Sequence, residues 1–176
     1  AVHNPQCTQS RNLSYSTDAP GVREVPDAAF GELIVAGGVG AVDIGCDIMN
    51  KKAIEKIYQL KQRDKKKPFS FMCSDLKNIS HYAKVSNYAY KTMRRLLPGP
   101  YTFILPGGKD LPRDFKKKKT VGIRVPDNTI AHELVKALGN PIVSTSIRDD
   151  DDILEYTTDP ELIYEKWGKR VDAVID

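Results

Sequence analysis

Cysteine is scarce in this chain: Cys7, Cys46 and Cys73 are three among 176 residues. They are far apart, odd in number and outside CxxC spacing. That argues against a disulfide framework and for a reducing compartment. Histidine is as thin, at His3, His81 and His132, and neither residue type falls into ligand spacing, so no metal site is expected. No apolar run approaches the roughly 20 residues of a membrane span. The start of the chain lacks the positive, apolar and small-residue succession of a secretory leader. A cytoplasmic protein without membrane attachment is the expectation. Residues 1–20 hold only His3, Arg11 and Asp18 among the acidic and basic residue types and are rich in Ser, Thr, Asn and Gln. They read as a loosely ordered arm before a single domain over 21–176.

What is present is an ordinary globular mixture, 40% apolar and 28% charged. A domain of this length closes a core without a disulfide or a metal. The net charge is +4, and its clustering matters more than its size. Residues 61–67 read Lys-Gln-Arg-Asp-Lys-Lys-Lys, and residues 116–119 are four lysines. Like charges so close repel, so such runs are solvated or face phosphates, nucleotides or RNA. The acidic run 149–152 reads as a solvated turn.

Apolar and polar segments alternate. Asp27 caps a short expected helix with Phe30, Leu33 and Ile34 on one face, stopped by Gly37-Gly38. Strands are expected over 39–42, 69–73, 101–105, 121–125, 142–145 and 171–175. Asn50, Ser86 and Asn128 are N-caps for three helices. Their stripes are Ile54, Ile57, Tyr58 and Leu60; then Ala89, Met93, Leu96 and Leu97; then Ile130, Leu134 and Leu138. Gly139 ends the third. Asp159-Pro160 opens a last helix with Leu162 and Ile163 inward. Lys116 to Lys119 lacks apolar periodicity and reads as a loop. This alternation predicts an α/β fold with a sheet at least partly parallel, and ligands beyond the carboxyl ends of its strands.

Four segments have the right residues for anion chemistry. Lys61, Arg63 and Lys67 flank a helix end, where a loop can aim cations into a cleft; lysines there are also favoured simply by the helix dipole. Leu97-Pro98-Gly99-Pro100-Tyr101-Thr102 is a rigid entry to a strand. Arg124, in Gly122-Ile123-Arg124-Val125-Pro126, lies within strand-forming residues, and a buried guanidinium needs an anion from the protein or a ligand. Ser144, Thr145 and Ser146 end an apolar strand in three hydroxyls, which bond ligand oxygens or cap a turn. Gly37-Gly38-Val39-Gly40 matches no phosphate-binding fingerprint.

The order and spelling of these segments resemble the YrdC/YciO family of threonylcarbamoyl-AMP synthases, from about Gly37 to Asp176. Phe71-Met72-Cys73-Ser74-Asp75-Leu76 and Thr158-Asp159-Pro160-Glu161 are similar to the YciO branch. The resemblance implies a twisted open mixed α/β sheet with flanking helices around a basic cavity. It implies ATP with Mg²⁺, L-threonine and bicarbonate as reactants, and threonylcarbamoyl-AMP and pyrophosphate as products. It also implies tRNA modification as the purpose, with tRNA or double-stranded RNA and modification proteins as partners. Lys61 and Arg63 would be catalytic. Lys67, Thr102, Arg124, Ser144, Thr145, Ser146 and Arg148 would bind nucleotide and substrate. Two departures stand out. The family's Pro-Thr-Asp-Thr-x-Tyr after the strand ending at Val42 has no counterpart before Asp43, and the expectation is that it belongs between these two residues. Ser146-Ile147-Arg148 replaces the usual Ser-Ala-Asn, with Arg148 as the substitute phosphate contact. The alternative reading is a nucleotide- or RNA-binding module without synthase activity. For RNA, Phe69, Phe71 and Tyr101 are expected in the core rather than as a base platform.

Overall fold

The structure is a computed structural model that describes residues 22–23, 33–36, 42–62, 69–77, 79–116, 118–147 and 160–175. Among the described residues, eight strands form one mixed sheet. They are β1 (Val22–Arg23), β2 (Leu33–Ala36), β3 (Val42–Asp47), β4 (Ser70–Met72), β5 (Phe103–Pro106), β6 (Thr120–Arg124), β7 (Ile142–Ser146) and β8 (Ala173–Ile175). The helices are α1 (Lys51–Leu60), α2 (Ile79–Tyr82), α3 (Asn87–Leu96), α4 (Arg113–Lys116), α5 (Thr129–Leu138) and α6 (Pro160–Trp167). The spatial order is β1-β8-β2-β3-β7-β4-β6-β5, the mixed α/β architecture expected.

The caps explain why the main helices start where they do. Asn50 Oδ1 accepts the Ala53 N–H at 3.1 Å, Ser86 Oγ that of Ala89 at 3.2 Å, and Asn128 Oδ1 that of Ala131 at 2.9 Å. Each satisfies a donor that the first helical turn leaves without an intrahelical partner. Gly139 ends α5 at φ 77°, a left-handed position that suits glycine.

Several expectations change. Leu33 and Ile34 belong to a strand, because β2 finds partners on both sides, antiparallel to β3 and parallel to β8. Of the expected strand 39–42, only Val42 lies among the described residues; it opens β3, which continues through Asp43 to Asp47. On α5, Ile130 is 38% exposed, and Ala131 and Val135 are the buried residues. On α6, Leu162 is 53% exposed, while Ile163 and Trp167 are buried. Part of the 116–119 run closes α4 rather than forming a plain loop. Residues 1–20, Asp27, Phe30, 37–40, 149–152 and Asp159 lie outside the described residues.

The register decides where the core sits. Side chains alternate between sheet faces along a strand. Ile44, Cys46, Phe71, Ile123 and Val143 fall on one face, and all are buried. There they meet Ile54 and Ile57 of α1, Met93 of α3 and Ile163 of α6. On the other face α5 lays Ala131 and Val135 over Met72, Ile142, Ala173 and Ile175, a smaller cluster. No helix among the described residues is long and apolar enough to cross a membrane.

Candidate functional site

The residues left on the α5 side, beyond the small apolar cluster, form a distinct row. Gly45 of β3 pairs with Ser144 of β7, Ser144 with Ser70 of β4, and Ser70 with Gly122 of β6. Four adjacent strands thus put glycine or serine at one level, and the sheet has almost no side-chain relief there. Ser70 Oγ donates to the Ser144 carbonyl at 3.2 Å. A methyl group added at Gly122 would meet Thr102 Cγ2 at 3.1 Å and Ser70 Cβ at 3.3 Å, so Thr102 borders this floor. Small residues at one level let another molecule approach the sheet backbone closely.

Arg124 stands above the floor. It lies level with Met72, Ile142 and Asp47, whereas Asp43 lies level with Ser146. Arg124 and Asp43 are therefore diagonal corners of the β3-β7-β4-β6 patch, yet Arg124 Nη2 donates to Asp43 Oδ2. Twist accumulated over these strands curls the patch along that diagonal and makes its α5 face concave. The Arg124 side chain is 18% exposed and that of Asp43 12%.

The inventory of unpaired groups points to the same place. Among the described residues the buried side-chain polar atoms without a partner are Arg124 Nε, Ser144 Oγ and His132 Nε2. The first two belong to the concave face, and His132 belongs to α5, which packs on the apolar cluster of the same sheet side. Ser144 is 1% exposed. A hydroxyl and a guanidinium N–H without partners are costly in a folded core and useful when a ligand oxygen completes them.

The predicted residues divide as follows. Arg124, Ser144, Ser146 and Thr102 come together around the floor. Thr145 does not share their face: it pairs with Ile44, on the α1 side. Lys61 is the C-terminal cap of α1, with its N–H on the Ile57 carbonyl at 3.0 Å. Gln62 follows at φ 44°. β3 and β4 both run antiparallel to β7, so the β3-α1-β4 crossover returns Lys61 to the end of the sheet where Asp43 and Ser146 stand. Lys118 and Lys119 precede β6 at that same end. Arg63, Lys67 and Arg148 lie outside the described residues. Ile147, in the place of the synthases' alanine, is a buried core residue and is not on the concave face.

Sequence reasoning missed Asp43, Ser70 and the two floor glycines. Ser70 was legible as a polar residue alternating with Phe69 and Phe71. Asp43 was not, because its partner is 81 residues away. Tyr101 was assigned to the core, but it is exposed ahead of β5, while Phe69 and Phe71 are buried as expected.

At the far end of β3, Asp47 accepts hydrogen bonds from Met49 N–H at 2.8 Å and Asn140 Nδ2 at 3.2 Å. Burial nonetheless raises its carboxyl pKa above the usual range, the two hydrogen bonds partly opposing this. Cys73, after β4, is pushed up to about 12 by burial and by the nearby Asp75 charge. The Tyr82 phenol is also raised, chiefly by burial. None of these is a poised nucleophile. The arrangement offers fixed donors and cations instead, which is what binding and stabilising phosphoryl oxygens requires.

The profile of the Sua5/YciO/YrdC family, described as Telomere recombination, matches residues 29–176. YciO of Escherichia coli, itself called uncharacterized, is 40% identical over 153 residues, 82% of this chain and 73% of that protein. Its crystal structure superposes with a TM-score of 0.73 at 38% identity, covering 83% and 71% of the two chains. A threonylcarbamoyl-AMP synthase of Photobacterium profundum is 32% identical over 120 residues, 66% of this chain and 65% of that protein. The P. abyssi Sua5 structure, solved with L-threonine, shares the fold at a TM-score of 0.70 and 21% identity, over 82% of this chain and 42% of that one.

Proposed function

The chain belongs to the Sua5/YciO/YrdC family, and on that premise we propose that it binds ATP and L-threonine on the concave α5 face and joins them, with bicarbonate, into threonylcarbamoyl-AMP. The observation that carries this is the half-satisfied Arg124 above the Gly45-Ser144-Ser70-Gly122 floor, with Ser144 Oγ buried and unpaired. Relatives named threonylcarbamoyl-AMP synthase, and a family member solved with L-threonine, support it.

The chemistry suits these residue types. The threonine amine and bicarbonate give a carbamate and water. A carbamate oxygen then forms a bond to the α-phosphorus while the bond to the bridging oxygen breaks and pyrophosphate leaves. Negative charge grows on phosphoryl oxygens, and fixed donors lower that barrier without a nucleophilic side chain. Lys61, Arg63 and Lys67 would neutralise the phosphates from the α1–β4 connection. Arg124, Ser144 and Ser146 would donate to phosphate or ribose oxygens, with Thr102 at the border and Arg148 where the synthases have asparagine. The ATP phosphates would bring Mg²⁺ with them, which would supply further charge neutralisation beside these residues. The product would serve transfer of the threonylcarbamoyl group to tRNA by other proteins in the cytoplasm.

The purified protein is incubated with Mg-ATP, L-threonine and bicarbonate, and threonylcarbamoyl-AMP and pyrophosphate are measured. Product requiring both threonine and bicarbonate is expected, and Lys61→Ala or Arg63→Ala should abolish it with the fold intact. Binding of ATP without product would establish the second reading, a nucleotide- or RNA-binding module without turnover. One observation favours that reading: β3 passes through Val42-Asp43 without the family's Pro-Thr-Asp-Thr-x-Tyr segment. RNA held there by charge would weaken with salt, by a slope of about −0.7 per phosphate contact.

A further inference from the structure

Among the described residues, Asp43 holds the guanidinium that stands over the floor, that of Arg124. We propose that Asp43 is a built-in competitor for the anion site: its carboxylate occupies Arg124 in the empty protein and must be displaced by the incoming phosphate. This rests on the nucleotide reading above and names what regulates that same site.

Several observations converge on it. Asp43 and Arg124 reach one another from opposite corners of the concave face. Their contact therefore spans the region a ligand would fill, over β7 and β4 that separate their strands. Both side chains are largely removed from water, where an unpaired guanidinium is costly and a carboxylate is the natural stand-in for phosphate. The pairing is also incomplete. Arg124 Nε stays buried without a partner, although a planar guanidinium engages a matched oxyanion through two N–H groups at once. Asp43 thus contacts the cation through Nη2 and leaves Nε for something else. Asp43 has a further effect: a fixed carboxylate beside the phosphate path repels it, which lowers affinity.

The test is ATP binding by calorimetry for the wild type, Asp43→Asn and Asp43→Asn with Arg124→Gln, each in metal-free buffer and with Mg²⁺. Asp43→Asn should bind metal-free ATP roughly tenfold more tightly, because a repulsive charge is lost and Arg124 is released. The double variant should lose that gain. Unchanged or weaker metal-free binding in Asp43→Asn overturns the inference. So does weaker binding confined to the Mg²⁺ arm, which would make Asp43 a metal ligand. Asp43→Ser is the second variant; if neither it nor Asp43→Asn folds, the pair is structural and the inference is wrong. Inorganic pyrophosphate, run in parallel, separates two failures. A gain for pyrophosphate with no ATP binding in any variant removes the nucleotide reading and leaves the competitor. A wild type that binds ATP with no gain in Asp43→Asn does the reverse.

Discussion

The two faces of the central sheet differ by one residue of offset and by almost everything else. On the α1 side, Ile44, Cys46, Val143, Phe71 and Ile123 are closed against helices, and Phe71 meets Phe115 edge-on at 5.0 Å between ring centroids. On the α5 side the same strands present Gly45, Ser144, Ser70 and Gly122 in one row, with Arg124 and Asp43 over it. The first face is saturated with contacts and has no chemistry. The second leaves donors unsatisfied. Strand alternation lets β3, β4, β6 and β7 hold the fold together with one set of residues and present unsatisfied donors with the other, so the two faces are separable by mutation.

The largest expected effect is on the packed face. Phe71→Ala removes a fully buried ring and leaves a cavity, at about 3–5 kcal/mol; urea unfolding measures it, and a cost close to zero would mean the faces are not so unequal. Next is Gly45→Ala, on the open face but without open space. Its methyl group would meet Ile142 Cγ2 at 2.7 Å and the Val143 carbonyl at 3.0 Å, so a loss of about 1–3 kcal/mol follows from overpacking. Ser144→Ala should do the opposite of Phe71→Ala. Deleting a buried, unpaired hydroxyl leaves stability unchanged or slightly raised, while ATP affinity falls; a marked drop in unfolding free energy would show that the hydroxyl serves the fold.

Two smaller effects concern titration. The Cys73 thiol, with its pKa near 12, remains protonated at neutral pH. Alkylation followed by mass spectrometry should modify it far more slowly in the native protein than in urea. For Asp47, the raised folded-state pKa means that the folded protein holds the proton more tightly than the unfolded chain. Its contribution is present in full below the ordinary carboxylate pKa and is lost as pH rises through the raised value. Asp47→Asn should therefore gain on the wild type from acid towards neutral pH, by less than the core substitutions change, in unfolding curves taken across that range.

What was legible in the sequence was local. Asn50, Ser86, Asn128 and Gly139 cap helices through contacts three or four residues long, and a cap needs nothing distant. Leu33-Ile34 was misread because an apolar run of four fits either a helix face or a buried strand, and the partners that decide are β3 and a strand at the end of the chain. The site shows the same limit. Arg124, Ser144 and Ser146 follow from their motifs. Their separation from Thr145 follows from period-two alternation. The diagonal contact with Asp43 follows only from the curl of an assembled sheet.

The position of β7 has a consequence for how the protein is made. It lies between β3 and β4, strands that leave the ribosome about 70 to 100 residues earlier. Until 142–146 emerges, those two strands share an open gap, each with an unpaired edge, and Ser144 is missing from the middle of the floor. The sheet and its concave face thus become complete in a single late event of high contact order, a slow kind of step. A nascent chain halted before β7 would have the basic segments but not the concave face.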